Sequence, residues 1–538
     1  MTRVTKIILV VVIALQCVGI FDHSLWTPDE PRVAEISREM AVSGNYLIPH
    51  HAGRPFLEQP PWYYATAALG FKWWGTGNEG YGRLASAFYG ILTLLVVLWG
   101  VRRLYSGYTA GLAAAILASS LLFFQVTHKM LVDSALVFFT TLALFGFHLS
   151  FTDQYKHGFK LFWIGMALSF LTKGLIGIAI PGVAAAAFIL WQGDLSVIRR
   201  IWAVPGLLLL LGVIGLWSWV LYQAGGTDFL WTFYGYHQLG RFFNGGIYTG
   251  GHFRPFYYYL GDFWVQGAPW SLLIIPFFIS MRPLDTSERF LIAWLAGGLV
   301  LLSLSSTKRG LYLLPLMPAM AVMVAIWMSG LSGRIPKQWE RTVVYLMGGV
   351  FILCFIGMPF GYVRFLDGSW TIAAAVMIVF LLAVWFLRHT WRPEPARLLT
   401  MCWCLGVLLW TPAVFPHIDQ QKGYKSLFVR MGKIVAGQPV AGYQLSETVE
   451  ALAPFYGGFY VENIEDRRTF KQYLSQKGTA YAVILPSRLD EGLRKQLLSN
   501  GIPLIRTTAR MRKDIELWKI GPLIHENEYP VSRFMTKE

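Results

Sequence analysis

Charge is what this chain has least of. Only 14% of its 538 residues are Asp, Glu, Lys or Arg, against 55% hydrophobic ones. That balance excludes an ordinary soluble domain, whose surface alone needs more charge. Acids are scarcer than bases, 30 against 46. Cysteine is rarer still: Cys17, Cys354, Cys402 and Cys404 all fall in apolar runs, which leaves no disulfide framework or metal-ligand spacing and makes packing their default role. No internal repeat of the kind common in secondary transporters is visible.

What is abundant is apolar sequence in runs long enough to cross a bilayer. Length and flanking residues predict a polytopic α-helical membrane protein with about thirteen spans, near residues 7–25, 85–101, 109–126, 134–152, 160–173, 175–192, 201–222, 267–281, 288–306, 311–330, 342–362, 370–387 and 398–415. The fifth is short. Arg3 and Lys6 before the first run resemble a signal peptide. No small-residue cleavage site follows, however, and Gln16 breaks a lipoprotein reading of "ALQC", so the run is taken as a span.

With the N-terminus cytoplasmic, the inner segments are Met1 to Lys6, "RR" at 102, "DQYKHGFK", "RR" at 199, "RPLDTSER", "SGRIPKQWER" and "RHTWRPEPAR". Each carries at least two Lys or Arg, as the positive-inside rule requires. The net charge of +16 is thus topological, so nucleic acid is not needed to explain it, and a basic rim suits anionic lipid headgroups. Outside lie two long loops, 26–83 and 223–266, and a polar tail, 416–538, in which helix-like stretches alternate with short apolar runs such as "AYAVILP". Residues 1–415 therefore read as one transmembrane domain and 416–538 as a small periplasmic α/β domain.

The unusual polar residues gather at the outer face. "LWTPDEPRVAEISREM" sets Asp29 after the first span. Its plain reading is a helix start, with Thr27 as N-cap and Pro28 as first helical residue. "HKMLVDSALVFF" sets a second acid, Asp133, at the mouth of the fourth span, where an isolated carboxylate needs a reason. "GRPFLEQPPWYYA" adds Arg54, Glu58 and Gln59. "FLTKGLIG" adds Lys173, "YHQLGRFF" adds His237 and Arg241 on one helix face, and "SSTKRGLYLLPLMP" adds Lys308, Arg309 and Tyr312. Singly, such cations are interfacial anchors. Together with two carboxylates they describe a pocket for a phosphate at the membrane surface.

These stretches, in order, resemble the ArnT-type aminoarabinose (lipid A) transferases, within the protein O-mannosyltransferase superfamily of GT-C glycosyltransferases. The longest is "PDEPRVAEISREMAVSGNYLIPHHAGRPFLEQPPWYY". The resemblance implies a GT-C fold and an inverting transfer of a sugar, 4-amino-4-deoxy-L-arabinose in the namesake group. It implies that the donor is that sugar carried on a polyprenyl phosphate, typically undecaprenyl phosphate, and that the acceptor is lipid A or another envelope glycolipid, at the periplasmic face of the bacterial inner membrane. Asp29, Asp133 and Glu58 match its acids and Arg32 its basic residue. Lys173, His237, Arg241 and Tyr312 match by motif order, with Arg54 and Lys308 as further phosphate-binding candidates.

One departure stands out. The family reads "EKPP" where this chain reads "EQPP", so Gln59 brings a hydrogen-bond donor but no charge toward the carrier phosphate. Phe56 likewise stands where the family tends to have tyrosine. In the reaction expected, Asp29 is the base or acceptor-positioning carboxylate, Asp133 orients the site or stabilises positive charge, and the cations hold the leaving phosphate. No cofactor is required, although a divalent cation between Asp29, Asp133 and phosphate would suit their oxygens. A flippase for a lipid-linked sugar, or a GT-C enzyme acting on a protein or polysaccharide hydroxyl, are the alternatives.

Overall fold

A computed structural model describes residues 3–201, 203–243, 253–280, 284–332, 334–391, 394–475, 480–506 and 514–521. The chain divides into two compact units. The first comprises residues 1–21, 45–49 and 55–414, the second residues 22–44, 50–54 and 415–538. The division runs through the first outer loop. Helix Glu30–Ser43 and the segment His50–Arg54 belong with the C-terminal tail, whereas the "FLEQPP" segment belongs with the spans.

The first unit is a bundle of apolar helices. Among the described residues nine are long and apolar enough to cross a membrane, and up to eleven if two bent pairs each count as one span. The bent pairs are Gly107–Ala118 with Leu121–Thr127, turned by 68°, and Tyr258–Gln266 with Ser271–Ile279, turned by 108° around Pro269. Proline supplies no N–H and so favours a break there. The runs expected at 7–25 and 160–173 correspond to helices Arg3–Cys17 and Gly158–Lys173, which fall short of that length test. Parts of the expected inner segments, including Arg282 and the "WR" pair's Arg392, lie outside the described residues.

The second long outer segment differs from expectation. Helix Ala203–Leu230 breaks its backbone angles only at Gly225 and Gly226, then continues as a π-helix over Trp231–Gly240 and a helical turn at Arg241–Phe243. The aromatic run "FLWTFYGYHQLG" keeps its backbone groups paired along the helix, which an apolar environment demands. Residues 244–252, in the middle of that segment, are outside the described residues.

One helix pair positions the site. Helices Asp133–Phe151 and Gly158–Lys173 run antiparallel, and a Cβ at Gly165 would come within 2.7 Å of the Phe139 carbonyl oxygen. Only a small residue permits such an approach between spans. The start of one helix and the end of the other therefore share one end of the bundle.

The second unit contains a five-stranded sheet: β1 (Val440–Tyr443), β2 (Glu462–Ile464), β3 (Ala480–Ile484), β4 (Gly501–Arg506) and β5 (Glu516–Ile520). The spatial order is β2-β1-β3-β5-β4, with β1 parallel to β2 and β3, and β5 antiparallel to β3 and β4. Helices Arg467–Leu474 and Glu491–Asn500 start where Asp466 and Asp490 accept the backbone N–H groups of Thr469 and Leu493. Phe470, Leu474, Leu493 and Leu497 pack on Tyr443, Ala482 and Trp518 of the sheet. This is the small C-terminal α/β fold expected of the tail.

Candidate active site

In the first unit, the antiparallel pair brings together two residues that lie forty positions apart. Lys173 Nζ donates to Asp133 Oδ1 at 2.6 Å, with the side chains only 11% and 8% exposed. The same ammonium sits 4.9 Å from the centroid of the Tyr312 ring, a cation–π contact. A lysine this buried needs a counter-charge, and Asp133 supplies it.

A second pair lies beside the first. Arg241 Nη1 meets Glu58 Oε1 at 2.5 Å, with Glu58 9% exposed. Gln238 joins the two: its Nε2 donates to the Glu58 carbonyl at 3.2 Å, and its Oε1 accepts the Leu175 N–H at 3.0 Å. Gly174, between Lys173 and Leu175, has φ +71, and a Cβ there would lie 2.3 Å from Gln238 Oε1. The "TKG" turn is thus glycine-dependent, and it fixes where the lysine emerges. Gln238 was not singled out in the sequence, because an amide among aromatic residues carries no signal of its own.

Gln59 is half-buried and accepts the Tyr64 hydroxyl on Oε1 at 3.0 Å. Phe56 lies edge-on to the same Tyr64 ring. His237 adjoins Gln238 on the π-helix, edge to face with Tyr236 at 4.9 Å between ring centroids. Lys308 is placed differently from the other cations. It is buried, and its ammonium donates to the carbonyls of Ser305 and, at 3.2 Å, Arg254. Burial lowers its pKa. Its bond to Ser305, the C-cap residue, closes the end of helix Thr286–Leu304, where carbonyls lack partners within the helix.

In the second unit, helix Glu30–Ser43 starts later than the sequence suggested. Its N-cap is Asp29, not Thr27, and Pro31 rather than Pro28 occupies the first turn. The Glu30 carboxylate, not that of Asp29, accepts the Trp26 N–H, at 2.7 Å. Asp29 makes no side-chain capping bond, and its Oδ1 faces Arg32 at 3.6 Å. Helix capping therefore does not account for this acid. Arg32 also pairs with Glu447 at 2.6 Å. Arg54 acts electrostatically on both His51 and Glu450, and burial together with Arg32 and Arg54 lowers the His51 pKa to about 4.

Asp29, Arg32 and Arg54 thus belong to one unit, and Asp133, Glu58, Gln59, Lys173, His237, Arg241, Lys308 and Tyr312 to the other. Among the described residues there is no group of three or more His, Cys, Asp or Glu arranged to hold a metal ion.

Residues 4–224 match the family described as dolichyl-phosphate-mannose-protein mannosyltransferase. The chain is 27% identical over 409 residues to the undecaprenyl phosphate-alpha-4-amino-4-deoxy-L-arabinose arabinosyl transferase of Edwardsiella ictaluri, covering 72% of this chain and 73% of the relative. To a transferase of the same description from Pseudomonas fluorescens it is 30% identical over 333 residues, covering 60% of this chain and 55% of that one. Its fold superposes on ArnT from Cupriavidus metallidurans bound to undecaprenyl phosphate with a TM-score of 0.79 and 19% identity, over 96% of this chain and 99% of the other. The family match, the relatives and the fold agree: the chain is similar in sequence to the ArnT-type aminoarabinose transferases and shares the fold of a multi-pass membrane glycosyltransferase of that type.

Proposed function

We propose that this protein transfers 4-amino-4-deoxy-L-arabinose from undecaprenyl phosphate to lipid A at the periplasmic face of the bacterial inner membrane. The observation that carries the proposal is the coupled pair of ion pairs, Lys173–Asp133 and Arg241–Glu58, tied through Gln238. Departure of the sugar leaves a phosphate whose charge must be met, and cations already oriented in a water-poor site meet it without reorganisation. The carboxylates hold both cations in place until the donor arrives. The names of the relatives support this choice of sugar and carrier.

In this proposal Lys173 and Arg241 hold the leaving phosphate, with Gln59, His237 and Tyr312 beside them. Asp133 and Glu58 orient those cations and favour positive charge at the sugar carbon. Asp29 positions or deprotonates the acceptor, and Arg32 and Arg54 offer charge to phosphate. Displacement by a single acceptor inverts the anomeric centre. The N-terminus is cytoplasmic and the C-terminal sheet periplasmic, with thirteen crossings.

Purified protein, labelled donor and lipid A test the reading, with and without EDTA. The expected product is lipid A heavier by one aminopentose, of inverted anomeric configuration, formed equally in both conditions. Movement of intact donor across vesicles without any product would overturn it in favour of a flippase.

A further inference from the structure

Two of the acids discussed in the first unit are already matched to cations. Asp262 is not. It lies on helix Tyr258–Gln266, half-buried, and its Oδ1 accepts from Gln266 Nε2 at 3.2 Å. Its Oδ2 is buried and meets no well-aligned hydrogen-bond donor among the described residues, although the Tyr258 side chain, four positions back on the same helix, also interacts with this carboxylate. An unsatisfied buried carboxylate oxygen is costly, and a native structure that retains one needs a reason.

The surroundings show where that oxygen points. A Cβ built on Gly310 would lie 2.8 Å from Asp262 Oδ2 and 2.3 Å from Gln266 Nε2, so the missing side chain is what gives the carboxylate its place. Gly310 opens the 3-10 helix Gly310–Leu316, which carries Tyr312 against Lys173. At the usual rise of that helix, Tyr312 is only about 4 Å further along. The Tyr259 hydroxyl, one turn back from Asp262, fastens the two segments at the Arg309 N–H and carbonyl, both at 3.3 Å.

We propose that the Asp262 carboxylate receives the protonated amino group of the donor sugar and so selects an amino sugar over a neutral one. This inference rests on the donor assigned above. In that sugar the amino-bearing carbon lies across the ring from the anomeric carbon. One molecule therefore presents its phosphate to Lys173 and Arg241 and its ammonium to a carboxylate on the adjoining wall. Asp133 and Glu58 are committed to cations, whereas Asp262 has an oxygen to offer. An ammonium returns the hydrogen bond and charge that this oxygen lacks, and a sugar hydroxyl returns only a neutral bond.

The test measures transfer by the purified full-length protein from undecaprenyl phosphate carrying either 4-amino-4-deoxy-L-arabinose or L-arabinose. Wild-type protein should favour the amino donor by at least about 100-fold in kcat/KM, because a site built to pair a polar group discriminates more sharply than a hydrophobic pocket does. Asp262→Asn should raise KM for the amino donor about tenfold with kcat little changed, and leave the neutral donor unaffected, because it removes a contact to the bound sugar. Asp262→Glu should recover part of the preference. Gly310→Ala, which displaces the carboxylate, should lose it, and this gives a second route should Asp262→Asn fail to fold. If wild type favours the amino donor and Asp262→Asn keeps the ratio, or loses both donors equally, the role of Asp262 is overturned and the donor assignment stands. If wild type does not favour the amino donor, the donor assignment falls and this inference with it.

Discussion

Lys173 and Asp133 meet at 2.6 Å from opposite ends of two antiparallel helices, with Tyr312 covering the lysine. Removing one partner of such a pair strands a charge in a low-dielectric site, at a cost of about 3–5 kcal/mol. Lys173→Met and Asp133→Asn should each lower the melting temperature in detergent and abolish transfer. The double variant Lys173→Met/Asp133→Asn should regain most of the lost stability and none of the activity. A double variant as unstable as the two losses added together would show that the pair is not coupled.

Asp29→Asn should behave differently. Asp29 does not cap its helix through its side chain and meets Arg32 at the loose distance of 3.6 Å, so a nearly isosteric amide should cost about 1 kcal/mol of stability. Transfer should fall by about 100-fold or more, the scale of a lost general base. Melting curves and turnover on one preparation separate the two effects. Activity within a few-fold of wild type would remove Asp29 from the reaction.

Gln59→Lys restores the charge that this chain lacks at its "EQPP" motif. The expected result is a lower donor KM, from a gain on the order of 1–2 kcal/mol before desolvation. Turnover should be unchanged or reduced, because a contact made equally in ground and transition states does not raise kcat. The Tyr64 hydroxyl loses its acceptor in this variant. A raised KM in a folded protein would mean that Gln59 serves Tyr64 rather than phosphate.

His51 should make the second unit acid-sensitive. Its folded pKa of about 4 lies below the ordinary 6.5, so between those values the unfolded chain binds more protons than the folded one. Stability is therefore full above about pH 6.5 and declines as pH falls towards 4, by at most about 3 kcal/mol. His51→Gln should flatten that part of the melting profile. An unchanged slope would assign the acid sensitivity, if present, to other groups.

Membrane orientation is tested by reporter fusions. Fusions after Lys6, Arg200 and Arg397 should report the cytoplasm, and those near Lys308 and after Glu538 the periplasm, as the basic segments require. A cytoplasmic C-terminus would invert the proposed face of the reaction.

The sequence by itself determined the class of this protein and the course of most of its apolar helices. In a bilayer a long apolar run has little choice but to satisfy its backbone within a helix, so composition and length suffice. Local signals also marked the tail, where Asp466 and Asp490 cap their helices within three residues. The residues at the mouths of the spans, Asp133 and Lys173 among them, were visible as charges where charge is costly. Tertiary structure alone decided their partners. Glu58 pairs with Arg241 across 183 positions, Gln238 links that pair to the Lys173 turn, Lys308 turns onto backbone carbonyls, and Asp262 keeps an oxygen unmatched. Local pattern does not encode such matches, because a carboxylate looks the same in sequence whichever cation packing brings within reach. The N-cap at Asp29 and the division of the first outer loop between two units follow the same rule: each depends on what the segment packs against.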